Sequence, residues 1–180
     1  MAKALWILVL VAGLTQTAWA TTEIGATFDE MVAGSQLIVH GRVVDARGQA
    51  IDGRRSIETV VTVAVAAALK GQPGTTVTFR TPGGELGRYR RVTVGAPSFA
   101  SGDEVILFLR GAAPALPTVF GLSQGVFRVM RAADGTAVVA APVTAAGADA
   151  VRVVRGDPAR RPLTVDAFSR EVRIRLGVTP

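Results

Sequence analysis

From Ser56 to Leu69 the chain alternates with a period of two. Ile57, Thr59, Val61, Val63, Val65, Ala67 and Leu69 fall on one side, with Ser56, Glu58 and Thr62 on the other. That period marks a β-strand with one buried face. Its length is the constraint: a dozen or so residues is about twice the usual five or six. Such a strand is expected to curve and to serve both halves of a barrel.

The neighbouring segments agree. Leu37, Val39, Gly41 and Val43 alternate with Ile38, His40, Arg42 and Val44, which predicts a preceding strand, and Arg47 to Arg55 reads as a polar turn around Gly48 and Gly53. Lys70 to Gly74 is a second turn, followed by Val77 and Phe79 facing inward. Thr81 to Gly87 reads as a loop by its glycines and proline, and Arg88 to Val94 as a weak strand. Val105 to Leu109 is apolar on both faces, as a central strand is. Val119 to Met130 carries another strand or two, and Asp134-Gly135 marks a hairpin before Val138 and Val139. The expected fold is therefore mainly β: a small antiparallel barrel or sandwich of about six or seven strands.

A helix is expected at each end of this body. Thr27 and Glu30 form a capping box ahead of Met31 and Val32, opening a short helix over Ala26 to Gly34. At the other end Thr164 caps a helix over 164–177, where Val165, Phe168, Val172 and Leu176 share one face. The body then spans 21–140, and 141–163 is a connector. Residues 1–20 read as a secretory leader, with Lys3, an apolar run from Ala4 to Leu14, and a small-x-small cleavage site ending at Ala20. Export to the periplasm or the exterior is the expectation, with cleavage or retention as an anchor left open.

Composition mainly excludes. The chain has no Cys and a single His, His40, which removes disulfide scaffolds, thiolate zinc sites and Cys nucleophiles. The formal charge is +6, but residues 21–150 hold 12 basic and 11 acidic side chains, so most of the excess, a net of +4, lies in residues 151–180. Arg152, Arg155, Arg160 and Arg161 offer at most a weak contact with an anionic surface once salt screens them. A near-neutral body with few aromatics argues against nucleic acid as a partner.

Three motifs bear on chemistry. Gly121-Leu122-Ser123-Gln124-Gly125 matches the G-x-S-x-G of hydrolase nucleophile elbows, but that mechanism needs a helix after the serine and a histidine downstream. Here a strand pattern follows and His40 lies upstream, so a Ser123 hydrolase is the least favoured reading. His40 reads as a structural residue. Asp103-Glu104 and Asp29-Glu30 are adjacent pairs. Neighbours on a strand point apart and Gly102-Asp103 reads as a turn, so the first pair is expected as solvated charge. Asp29 and Glu30 belong to the helix start, where negative charge is favourable, and no carboxylate dyad is read from either pair. No residue is assigned a catalytic role, a metal or a cofactor. The most varied patch is the segment with Gly83, Gly84, Glu85, Arg88, Tyr89 and Arg91, the first place to seek a binding surface.

The ordered set Val39-x-Gly41-x-Val43, Leu69-Lys70-Gly71, Pro82-Gly83-Gly84, Gly102-Asp103-Glu104 and Gly121-x-x-Gln124-Gly125-x-Phe127 resembles a group of uncharacterised exported bacterial β-proteins. More remotely, the opening strand, the long alternating strand and Leu-Lys-Gly are similar to netrin-like and metalloproteinase-inhibitor domains, which are OB-type barrels. That likeness implies a module that binds a protein or a protease. Those inhibitors use an N-terminal Cys, absent here, so no residue inherits their mechanism. The reading that follows is an exported, non-enzymatic barrel that binds a protein or envelope component through loops near 82–91 and 95–103, with an inhibitor or accessory factor of an exported protease as the alternative.

Overall fold

The computed structural model describes residues 25–54, 56–111, 113–140 and 161–178. The expected leader with its expected cleavage site at Ala20, and most of the expected connector, including Arg152, Arg155 and Arg160, lie outside the described residues. In chain order the elements are helix α1 (Phe28–Gly34), strand β1 (Leu37–Ile51), a 3-10 turn (Asp52–Arg54), β2 (Ser56–Lys70), β3 (Thr76–Pro82), β4 (Gly84–Leu86), β5 (Tyr89–Arg91), β6 (Glu104–Arg110), β7 (Thr118–Val119), β8 (Val126–Arg131), β9 (Ala137–Ala140), β10 (Leu163–Thr164) and helix α2 (Val165–Arg175). The class is the mainly β one expected. Among the described residues ten strands stand where six or seven were expected, because β4, β5, β7 and β10 are only two or three residues long.

A ring closes. Its order is β1-β2-β3-β7-β6 and back to β1, and β8, β9 and β10 extend the sheet beyond it. Strand β6 makes the closure. One edge pairs with β1 from Leu37↔Leu109 to Arg42↔Glu104. The other edge is shared between β8 and β7. All these pairs are antiparallel except β3–β7, a parallel contact at Arg80↔Thr118.

The apolar faces of β6 explain the two cores. Val105, Leu107 and Leu109 point into the barrel with Val39, Val43, Val61, Val63, Phe79 and Val126. Ile106 and Phe108 point outward into a second core under the helices. There Phe28, Phe108, Phe127 and Phe168 pack edge-on or tilted, with ring centroids 4.8–6.4 Å apart. Edge-to-face arrangement suits the ring quadrupoles. The long alternating strand serves both cores: Val61 and Val63 face the barrel, whereas Leu69 reaches the helix layer.

Strand β1 does not stop at the predicted polar turn. It runs on to Ile51, pairing residue by residue with β2 as far as Ile51↔Ser56. The polar run 47–51 forms strand because β2 offers it a partner and β4 covers it, neither of which local composition reports. Register shifts at Ile38/Val39, His40/Gly41 and Val43/Asp45 bend this strand as β-bulges do.

Both helices begin as their caps require. Glu30 N–H donates to Thr27 Oγ1 at 3.2 Å, and Thr27 N–H to Glu30 Oε2 at 2.8 Å. Ala167 N–H donates to Thr164 Oγ1 at 3.2 Å, so Thr164 caps α2 from outside it while belonging to β10. Helix α1 has no basic residue in its last turn. Lys70 supplies one from β2, with Nζ donating to the carbonyls of Val32 at 2.7 Å and Ala33 at 3.2 Å. A cation on unpaired carbonyls at a helix C-terminus is favourable. Lys70→Met is therefore expected to lower stability by about 1 kcal/mol, read as a shift in the urea midpoint.

Candidate functional site

At the end of β3 the chain leaves the barrel and folds across the β1–β2 ribbon. Gly83 N–H donates to Ile57 O at 3.1 Å, and Thr59 Oγ1 donates to Gly83 O at 2.8 Å. Gly84 has φ of 135°, and a Cβ there would stand 2.3 Å from Thr59 Oγ1. Only glycine suits that position. The chain then forms a small hairpin rather than the predicted loop: β4 pairs with β5 through Gly84↔Arg91, Glu85↔Arg90 and Leu86↔Tyr89. The weak strand predicted over Arg88 to Val94 shortens to Tyr89–Arg91.

The hairpin is seated from beneath. A Cβ on Gly48 of β1 would meet Glu85 O at 1.9 Å, so β4 lies directly on the backbone of β1. Above this seat the side chains are open. Arg88 stacks over the Tyr89 ring at 5.1 Å and donates to its hydroxyl at 2.9 Å. Arg90 meets Glu85 at 3.3 Å, a largely exposed ion pair that contributes little to stability. Tyr89 is 58 % exposed, Val92 71 % and Val94 87 %.

A groove lies on either side of the hairpin. One, of about 440 Å³, runs between it and the 96–99 segment and is floored by Thr59 and Gly84 with Phe99 at its wall. The other, of about 910 Å³, separates Leu86, Tyr89 and Val92 from Ala50 and Ile57 at the ribbon tip. All six residues singled out from the sequence are brought together: Gly83 and Gly84 as the seat, Glu85, Arg88, Tyr89 and Arg91 on the hairpin. Val92 and Val94 were not singled out, although Val-Thr-Val after two arginines was a visible strand pattern.

The 95–103 loop is held by Arg128 of β8. Its guanidinium donates to Asp103 Oδ2 at 2.8 Å and to Ser98 O at 2.5 Å, and lies 5.9 Å over Phe99. Phe99 in turn packs edge-on to Phe79 at 5.2 Å, joining the loop to the barrel core. Arg128 was readable as one cation inside the apolar run Val126-Phe127-Arg128-Val129. Desolvation raises the Asp103 pKa, but the Ala100 N–H and the Arg128 guanidinium outweigh it and hold the carboxyl below its usual 3.8. A depressed folded-state pKa stabilises above the unfolded value, and the contribution is lost as pH falls through the folded one. Asp103→Asn is thus expected to destabilise at about pH 7, with the difference from wild type shrinking towards about pH 2.5. Urea titrations at both pH values check it.

His40 and the acidic pairs have structural partners. His40 Nε2 lies 2.9 Å from Glu104 Oε1, and Arg42 donates to Glu104 Oε2 at 3.0 Å. Glu104, at the start of β6, and Asp103, at the end of the preceding loop, therefore serve different cations. Asp29 pairs with Arg175 of α2, and Glu30 with the α1 cap. Ser123 sits in a turn in which Leu122 has φ of 57°, and strand β8 follows where an elbow needs a helix. Gln124 beside it is 5 % exposed, and its Oε1 accepts from Ala26 N–H, tying the start of α1 to the barrel.

Among the described residues no group of three His, Asp or Glu is placed to hold a metal ion, and no helix is long and apolar enough to cross a membrane. Compared with models of known families, with curated proteins and with solved structures, the chain matches none.

Proposed function

We propose that this chain is an exported, non-enzymatic β-barrel module that binds a protein or envelope component through the β4–β5 hairpin and the 95–103 loop. The observation that carries it is the clustering of exposed apolar side chains. Of nine large exposed hydrophobics among the described residues, Leu86, Tyr89, Val92 and Val94 lie within one hairpin and its exit. Contiguous exposed apolar groups rimmed by charge mark interaction sites, whereas scattered ones do not. Tyrosine and arginine are also the residue types enriched where partners bind. The five-stranded ring with its long first strand supports an OB-type barrel, and with it the remote netrin-like likeness. Export rests on the leader pattern at 1–20.

The test is capture from an envelope fraction by the tagged chain. Recovery of a specific partner is expected, with recovery falling at least about tenfold for Tyr89→Ala combined with Val92→Ser, as loss of a central anchor produces. Both side chains are exposed, so the variant keeps its fold, which circular dichroism checks. Equal recovery by the variant contradicts the assignment. Gly84→Arg is a poor substitute, since it would collide with Thr59 and disturb the hairpin's seat.

A further inference from the structure

The hairpin has two edges, and among the described residues no strand beyond β4 is hydrogen-bonded along the β5 edge. β4 and β5 join through Gly87-Arg88, with Gly87 at φ 59°. In a hairpin of this kind the pair flanking the turn exchanges hydrogen bonds, and the next pair points its backbone groups outward. The flanking pair is Leu86↔Tyr89, so Glu85 and Arg90 point outward. Two contacts agree with this alternation. The Glu85 carbonyl, outward on β4, is the atom that crowds Gly48 of β1. Arg91 O and Thr93 N, inward on the β5 side, are the atoms nearest a Cβ on Gly83. The first edge therefore lies on β1. The second presents the N–H and C=O groups of Arg90 and Val92, and among the described residues β4 is the one strand that pairs with β5.

An open edge of β-prone sequence is a template for another strand. Tyr-Arg-Arg-Val-Thr-Val supplies the propensity. Charge chooses the strand. Arg88, Arg90 and Arg91 outnumber Glu85 on the hairpin, so a second copy pairing β5 with β5 would set arginines against arginines. A segment with acidic residues between apolar ones would instead meet arginine on both faces, and Val92 and Tyr89 alongside. We infer that the outer edge of β5 accepts an extended acidic–apolar segment of a partner protein as a third strand, bonded to the backbone of Arg90 and Val92. This rests on the binding-module reading above and specifies its partner's chemistry.

Selection from a random peptide library displayed on phage, against the purified chain, tests it. Expected is enrichment of peptides alternating Asp or Glu with Val, Ile or aromatic residues. Val92→Pro, which deletes one outward N–H, should weaken a selected peptide at least about tenfold. N-methylation of alternate peptide amides should do the same in one register and not the other. Enriched peptides insensitive to Val92→Pro would overturn strand addition while leaving a hairpin binding surface in place. No enrichment, with retention instead on vesicles of phosphatidylglycerol and phosphatidylethanolamine, would overturn it in favour of a lipid surface. Self-association of the chain alone, lost in Val92→Pro, would overturn it in favour of a second copy.

Discussion

Gly41→Ala is expected to cost about 3 kcal/mol, near the upper end for a single methyl group added to a packed interior. The position lies in β1 where the strand is bonded on both edges, opposite Val65 of β2 and Val105 of β6. A Cβ there would stand 2.3 Å from the Ala64 carbonyl oxygen and 2.7 Å from a methyl of Val63. The nearer neighbour is backbone inside a closed ring, so relief requires moving the β1–β2 ladder at the bulge that bends it. Total stabilities run to about 5–15 kcal/mol, so the variant is expected to populate unfolded chain on mild heating. Gly53→Ala is the control. Its Cβ would meet nothing within 4 Å, and only its φ of 65° opposes alanine, at about 1 kcal/mol. Equal urea midpoints for Gly41→Ala and wild type would mean that β1 does not close the ring as described.

Phe168→Ala is expected to cost about 3–5 kcal/mol, the range for emptying a fully buried aromatic site. Phe168 is 0 % exposed and touches three other phenylalanine rings, Phe127 most closely at 4.8 Å. Those rings come from α1, β6 and β8, so one truncation loosens the C-terminal helix from the N-terminal helix and the sheet together. Ile174→Ala on the same helix, at a position 56 % exposed, should change stability by less than about 0.5 kcal/mol. Thermal denaturation of the pair separates a packed α2 from one that only caps the surface. Similar melting temperatures for Phe168→Ala and Ile174→Ala would contradict the shared core.

The elements visible in the sequence were those whose causes are local. The Thr27–Glu30 box, the Thr164 cap and the apolar stripe of Phe168 and Val172 each lie within a turn or two of chain, and each structural element followed. The two-faced run Val105 to Leu109 also announced its central place, because nothing but burial on both sides explains it. What stayed hidden depends on partners far along the chain. Residues 47–51 looked like a turn by composition, yet β2 holds them as strand and β4 covers Gly48. Gly83 and Gly84 read as loop breakers, and the glycines do allow a sharp exit, but their crowding against Arg91 and Thr59 makes a hairpin seat of it. Lys70 looked like a turn cation, and only the packing of α1 beside β2 turns it into a helix cap. For the candidate site, the residue types were legible and the geometry was not. The sequence placed arginines and a tyrosine together, but the exposure of Val92 and Val94 and the grooves beside them arise from where the hairpin rests.

The most direct test of the binding reading places a photo-crosslinking amino acid at Tyr89 in the full chain, expressed in the cell it comes from, with the same substitution at Met130 as an equally exposed comparison, 59 % against 58 %. Irradiation is predicted to give one discrete crosslinked species from position 89 and none from position 130. Its mass and peptide map should identify a protein attached through an extended acidic segment. No adduct at position 89, or the same adducts from both positions, would contradict a binding surface on the β4–β5 hairpin.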